Sequence, residues 1–443
     1  MRYISGPYTQ GQLLRDIVEI EAALTERFLR GGAITDAAEQ RAWRERVQDA
    51  SFGRNTVMYD DQGNPSVMVV FSLQTEADLL TGGRNMPHPA FIVNGATKPQ
   101  LYISKHQCII TGSGATLRAL SLRGVDPAAY ITFDNALLAC KQKGAGWHLM
   151  TNAEWAAIAL WCKKQNFWPR GNNYYGKDYD VQAEKGVPSY YYDASGTKYI
   201  GRVLTGSGPI AWTHDGSPFG IYDLNGNVWE WVGGLRLNNG EINILENNNA
   251  ADNTKDQTAG SAEWKAILQN GSLVAPGTND TLKFDSPNPL TNDGVTQNQG
   301  TPILRTALVN PPDPAWNWSS TYNDYNYGSF ATVTADAGVT VPSILKLLGL
   351  MPIDASHGGD YLYIRNYGER LPSAAGSGAA SSAGVFALHL LALRSYSSSA
   401  VGSAQLSCDL GSELCTLTGG RKPAREVKRG WLKSSSCCRR HMT

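Results

Sequence analysis

At 443 residues, with 39 Lys plus Arg against 39 Asp plus Glu, the chain is long enough for two or three structural units and a sizeable core. Its neutrality removes the electrostatic footprint of a general nucleic-acid binder and any long-range steering toward an anionic membrane. No apolar run approaches the roughly 20 residues needed to span a bilayer, and the opening MRYISGPYTQGQ has no charged start followed by an apolar stretch, so neither membrane insertion nor Sec-type export is expected.

Leu13, Ile17, Ile20, Leu24 and Phe28 recur at three- and four-residue spacing, which predicts two helices over residues 10 to 50 broken at RGG (Arg30 to Gly32), with Thr35 or Asp36 capping the second. Such a pair ahead of a globular domain fits a trimerising or docking element, giving a homotrimer, and equally a pair packed on its own domain. NTVMYDDQGNPSVMVVFSL then alternates as two strands around a DDQGNP turn. Residues 1–98 are accordingly read as an N-terminal helical and β-hairpin segment for oligomerisation or virion docking.

From residue 99 the pattern is short strands, helices and long connections. ITFDNALLACKQKG and MTNAEWAAIALWCKKQ read as helices, capped by Thr132 or Asp134 and by Thr151 or Asn152, with Ala136, Leu137, Cys140, Trp155, Ile158 and Cys162 on their apolar faces. Residues 238–324 are crowded with Asn, Asp, Gly, Thr and Pro, which predicts a mostly irregular insertion. The seven cysteines (Cys108, Cys140, Cys162, Cys408, Cys415, Cys437, Cys438) are odd in number and lack a paired C-x-x-C spacing, so they read as buried or free thiols.

GIYDLNGNVWEW, Gly220 to Trp231, is the most specific local signal: a turn at Asn225 and Gly226 followed by a buried Val228, Trp229 and Trp231. Asp223, Asn225 and Asn227 superficially suggest a structural calcium loop. The glycine expected next is Val228, however, and no bidentate acid follows at the right distance, so side-chain caps on a tight turn are favoured. No cofactor and no metal are assigned. GWHLMTNAEWAAIA and FGIYDLNGNVWEW, in this order and followed by a C-terminal R-S segment, resemble the formylglycine-generating-enzyme (sulfatase-modifying factor) version of the C-type lectin fold over residues 99–402. The resemblance implies an α+β fold, with a small twisted antiparallel sheet, two helices and much irregular structure. Its enzymatic branch uses two C-terminal cysteines to hold copper and activate oxygen; Ala383 to Val401 contains none, and Cys408 and Cys415 lie beyond the motif. No catalytic residue is therefore nominated.

AGVFALHLLALRSYSSSAVG, Ala383 to Gly402, keeps an ordered frame and fills its gaps with residues sharing no chemistry. It resembles the variable region of proteins diversified by diversity-generating retroelements, in which template adenines are copied promiscuously and Asn codons AAY become NNY. His389, Leu391, Ala392, Tyr396, Ser398, Ser399 and Ala400 are all NNY products, whereas Phe386, Leu388, Leu390, Arg394, Ser395, Ser397, Val401 and Gly402 keep the frame. The variable region spans about 373–402. Gly378, Ala379, Ala380 and Ser382 extend the variable set, although AAGSGAASS lacks the tryptophan of the usual element there.

The resemblance implies a ligand-binding or receptor-binding protein, at the tip of a phage or prophage tail, meeting a bacterial cell-surface protein or glycan through those side chains. Asn225, Gly226, Asn227, Trp229, Trp231, Phe386 and Arg394 would be its scaffold. Export-signal absence favours a virion component released by lysis over a surface lipoprotein. A formylglycine-generating-type oxidase and a bacterial surface adhesin are the alternatives. Alternation along FALHL places Phe386, Leu388 and Leu390 on one face and His389 on the other. Residues 403–443 read as a poorly packed tail, consistent with a frame shift just after Val401.

Overall fold

In the computed structural model the helix Gln10–Gly31 buries Ile17 and Leu24, and Asp36 starts the helix Ala37–Ala50 by accepting a hydrogen bond from the Glu39 backbone N–H at 2.7 Å. The structure describes residues 10–288, 300–309, 325–404 and 406–408. Both helices pack on their own domain: Ile17, Leu24, Ile34 and Val47 share a core cluster with Val57 and Val67 of the following hairpin. Glu21, fully buried, accepts from Lys105 Nζ at 2.6 Å and lies 3.1 Å from His106 Nε2 and 3.7 Å from Arg123. Burial alone would raise the Glu21 carboxyl, but the Lys105 ammonium, with His106 and Arg123, holds it at about 2.

The hairpin Asn55–Tyr59 and Pro65–Ser72 forms around the expected turn, where Asp60 Oδ1 accepts from the Gln62 and Asn64 backbone N–H groups. Its second strand pairs with Gln100–Ser104. No structural break therefore falls at residue 98. The same sheet continues through Leu406–Cys408, which pairs with Gln100–Ser104 on one side and with Trp147–Leu149 on the other. Ordered strand thus runs into the segment expected to be loose from residue 403; residues 409–443 lie outside the described residues.

Among the described residues the second sheet has thirteen strands. It is larger than the small antiparallel sheet expected and includes parallel pairs, among them Tyr361–Arg365 with Gly384–Ala392 and Trp229–Trp231 with Val401–Ala404. The described part of the Asn-rich stretch, residues 238–288 and 300–309, is also more ordered than its composition suggests. Glu241–Ile244, Lys265–Ile267, Lys283–Asp285 and Ile303–Arg305 join this sheet, and Ile242, Trp264, Ala266 and Phe284 are fully buried. The helices Phe133–Lys141 and Asn152–Lys164 start at Thr132 and Thr151; the latter forms a capping box with Glu154. Asn152–Lys164 packs behind the strand Gly384–Ala392, with Trp155 Nε1 donating to the Val385 carbonyl at 2.7 Å. Among the described residues no helix is long and apolar enough to cross a membrane.

Candidate functional site

The turn Asp223–Val228 is built by side-chain amides acting on the backbone. Asn227 has φ 66°, a conformation asparagine tolerates. Its Nδ2 donates to Gln107 Oε1 and to the Val203 carbonyl, while its Oδ1 accepts from Asn172 Nδ2 and the Val203 N–H. Asn225 Nδ2 donates to the Pro169 carbonyl at 2.9 Å. At Gly226, φ 82°, a Cβ would collide with the Asn172 carbonyl oxygen, so only glycine fits. Asp223 Oδ2 accepts from the Gly206 N–H, and burial pushes this carboxyl up to about 6. These side chains brace the turn in the way caps do.

The turn delivers Trp229–Trp231 into the middle of the larger sheet, parallel to Val401–Ala404 and antiparallel to Glu369–Ala375. Trp231 is fully buried, donates through Nε1 to the Ile131 carbonyl and meets the Phe133 ring edge-on. Trp229, 8 % exposed, lies with its ring 5.2 Å from His389 and 6.0 Å from Tyr363.

The strand Gly384–Ala392 runs between Tyr361–Arg365 and Glu369–Ala375. Phe386, Leu388 and Leu390 point into the main core; Phe386 stacks on Phe330 at 5.4 Å and meets the edge of His357. His389 and Leu391 alternate to the other face and are half-buried. The outer face is aromatic, since His389 pairs with Tyr363, which stacks on Tyr327 at 5.6 Å. The His389 Nδ1 has no hydrogen-bond partner among the described residues, and burial lowers this imidazole to about 4. Ala392, expected among the exposed positions, is 4 % exposed, because the strand continues through it to pair with Leu371. The Phe386 N–H donates to Asp360 Oδ2 at 2.7 Å; burial pushes this fully enclosed carboxyl up to about 8.

Beyond Ala392 the chain turns out of the sheet. Arg394 fastens this departure, donating to both Glu369 carboxylate oxygens, to Asp134 Oδ1 and to the Gln257 carbonyl, with its guanidinium over the Phe133 ring. Tyr396 is 43 % exposed. Ser398, Ser399 and Ala400 are half-buried and held by their carbonyls, which accept from the Tyr130 N–H, from Arg202 Nη1 and from the Trp229 N–H respectively. Backbone is fixed here, and the Ser398 hydroxyl oxygen also accepts from the Ala400 N–H at 3.3 Å.

Of the extended variable set, Ala379 is exposed, Ala380 and Ser382 are half-buried, and the Ser382 hydroxyl is 2.7 Å from that of Tyr363. Gly378 differs. It is buried, donates to the Asn227 carbonyl and accepts from the Tyr175 N–H, and a Cβ there would collide with the Gly201 carbonyl oxygen. Its backbone, rather than a side chain, contributes to the surface.

A neighbouring element was not singled out in the sequence. The hairpin Pro188–Ala194 and Thr197–Val203 carries SYYYDASGTKYI, whose alternation sets Tyr190 and Tyr192 on one face. Tyr192 stacks across the hairpin on Tyr199 at 5.7 Å, and Arg202 lies 4.1 Å from the Tyr190 ring centre while its guanidinium is paired with Asp126. These two tyrosines, with Gly378, Ala379, Ser399 and Ala400, line one open cleft.

Among the described residues the copper of the enzymatic branch finds no fitting donor set. The strand Gly384–Ala392 contains no cysteine, Cys108, Cys140 and Cys162 are buried, and burial raises Cys140 and Cys162 well above the ordinary thiol range. Among the described residues no group of three or more His, Cys, Asp or Glu is placed to hold a metal ion.

No curated protein matches the chain. Residues 86–261 match the sulfatase-modifying factor enzyme 1-like domain, a span that contains both sequence motifs and ends before the strand Gly384–Ala392. That similarity supports a formylglycine-generating-enzyme-like C-type lectin fold for this part of the chain, in a mixed α and β setting.

Proposed function

We propose that the protein is a binding protein whose recognition surface is rewritten by a diversity-generating retroelement, displayed on a phage or prophage tail and directed at a bacterial cell-surface protein or glycan. The observation that carries this reading is the sorting of one short segment. Phe386, Leu388 and Leu390 are buried and Arg394 is fixed by charged partners, whereas His389, Leu391, Tyr396, Ser398, Ser399 and Ala400 are half-buried or exposed on the other face of that strand and in the loop that follows it. Side-chain identity at these positions changes the surface without entering the core. Weak contacts at one copy become firm attachment when many copies are displayed.

Long-read sequencing of the locus tests the reading. The expected result is a nearby reverse transcriptase and a repeat of codons 377 to 400 that differs from them only at adenines. An intact locus with neither overturns it.

The domain match favours one second reading, a formylglycine-generating-type oxidase. Incubation of the purified, copper-loaded chain with a sulfatase-derived cysteine peptide, oxygen and a thiol reductant, which supplies the two further electrons that reduction of oxygen to water requires, decides it: formylglycine, detected by mass, establishes the enzyme. The lack of a cysteine in the variable strand leads us to expect no conversion.

A further inference from the structure

We infer that the cleft between the tyrosine hairpin and the variable loop binds a neutral sugar ring, the terminal residue of a surface glycan. This rests on the binding-protein reading above and gives it a ligand class.

The cleft has a volume of about 180 Å³ and is open on one side, which suits one pyranose with the rest of a glycan continuing outward. One wall is Tyr190 and Tyr192, whose rings are backed by Arg202 and Tyr199 and so held in place before any ligand arrives. The other side is formed by Ser377, Ala379, Ser399 and Ala400, all small. No carboxylate or ammonium lines it, and the nearby Arg202 charge is already paired with Asp126.

Aromatic faces give an apolar platform for the C–H face of a pyranose, and the phenol and serine hydroxyls both donate and accept, as sugar hydroxyls require. A charged ligand would find no counter-charge here.

The division of labour follows from position. Tyr190 and Tyr192 lie outside the variable region, so the platform is constant, whereas residues 379, 399 and 400 set the depth and shape of the opposing wall. Copies with larger residues there would admit different sugars or none.

The test uses the full chain and saturation-transfer NMR against glucose, galactose, mannose, rhamnose, N-acetylglucosamine and N-acetylgalactosamine, each alone. At least one should receive saturation. Its Kd should weaken about ten-fold or more in Tyr192→Ala, which removes the platform, and in Ser399→Trp, which fills the cleft and leaves the hairpin intact, while Tyr191→Ala, on the opposite face of the same hairpin, retains binding. No transfer to any of the six sugars, or transfer that survives both substitutions, overturns the inference. Locus sequencing reads the underlying proposal separately. A templated repeat with no sugar binding sinks only the cleft assignment, and sugar binding without a repeat sinks only the diversification.

Discussion

Trp229 and Tyr396 belong to the same neighbourhood and should answer mutation in opposite ways. Trp229 is buried beside His389 and Tyr363, so Trp229→Ala should cost about 3 to 5 kcal/mol in urea unfolding. Tyr396 is an exposed loop side chain, so Tyr396→Ala should stay within about 0.5 kcal/mol of the parent. Equal losses would contradict the separation of frame from surface. Asp360 carries a second expectation. Its folded pKa, about 8, stands above the ordinary 3.8, so between those values the folded chain holds a proton that the unfolded chain has released. Its contribution is complete below about 3.8 and is lost as pH rises through about 8. Asp360→Asn keeps an oxygen acceptor for the Phe386 N–H and should raise the melting temperature at about pH 8 more than at about pH 5; a pH-independent difference would refute this. Period-two alternation made the inward set legible in the sequence, but it had no means of locating the strand end that buries Ala392. Asp360 was invisible for another reason: its partner is a backbone N–H supplied by a distant segment.

At the scale of elements, the helix pair was legible from its spacing and its cap, while its docking on the domain was not. The deciding contact is the single carboxylate of Glu21, on the polar side of an amphipathic pattern, reaching Lys105 and His106. Glu21→Gln would leave the fully buried Lys105 ammonium without its carboxylate and should cost about 3 to 5 kcal/mol near neutral pH. Because the folded Glu21 pKa is depressed to about 2, the stabilisation is present above its ordinary 4.5 and is lost as pH falls toward about 2. The gap between parent and variant in chemical denaturation should therefore narrow over that window. The Asn-rich stretch illustrates the opposite failure. Strands of three or four residues such as Glu241–Ile244 and Lys283–Asp285 take their support from neighbours across the sheet, so composition reports the turns between them and conceals the strands.

Across the whole molecule, the two motifs made the similarity to the sulfatase-modifying factor enzyme 1-like domain readable, while the sheet contacts that join residues 55–72 and 406–408 to residues 100–104 had no sequence signal. The hairpin Asn55–Tyr59 and Pro65–Ser72 and the strand Leu406–Cys408 share one sheet with Gln100–Ser104. Ending the chain after Gly402 should therefore lower the melting temperature sharply, whereas ending it after Asp409, the limit of the compact unit, should preserve the parental transition in differential scanning calorimetry. Equal transitions for the two truncations would show that the last strand carries no stability.

The interior position of Leu406–Cys408 in the first sheet also sets the order in which the protein can be finished on the ribosome. Gln100–Ser104 and Trp147–Leu149 emerge early and must wait, each with an open edge, for a strand made some three hundred residues later. Until it arrives the nascent chain exposes pairing groups to aggregation and to proteases. Residues 383–402 are translated immediately before that closing strand. A substitution among them that displaces Leu406–Cys408 would leave the sheet half-built, so the last strand makes completion of the sheet depend on the segment made just before it.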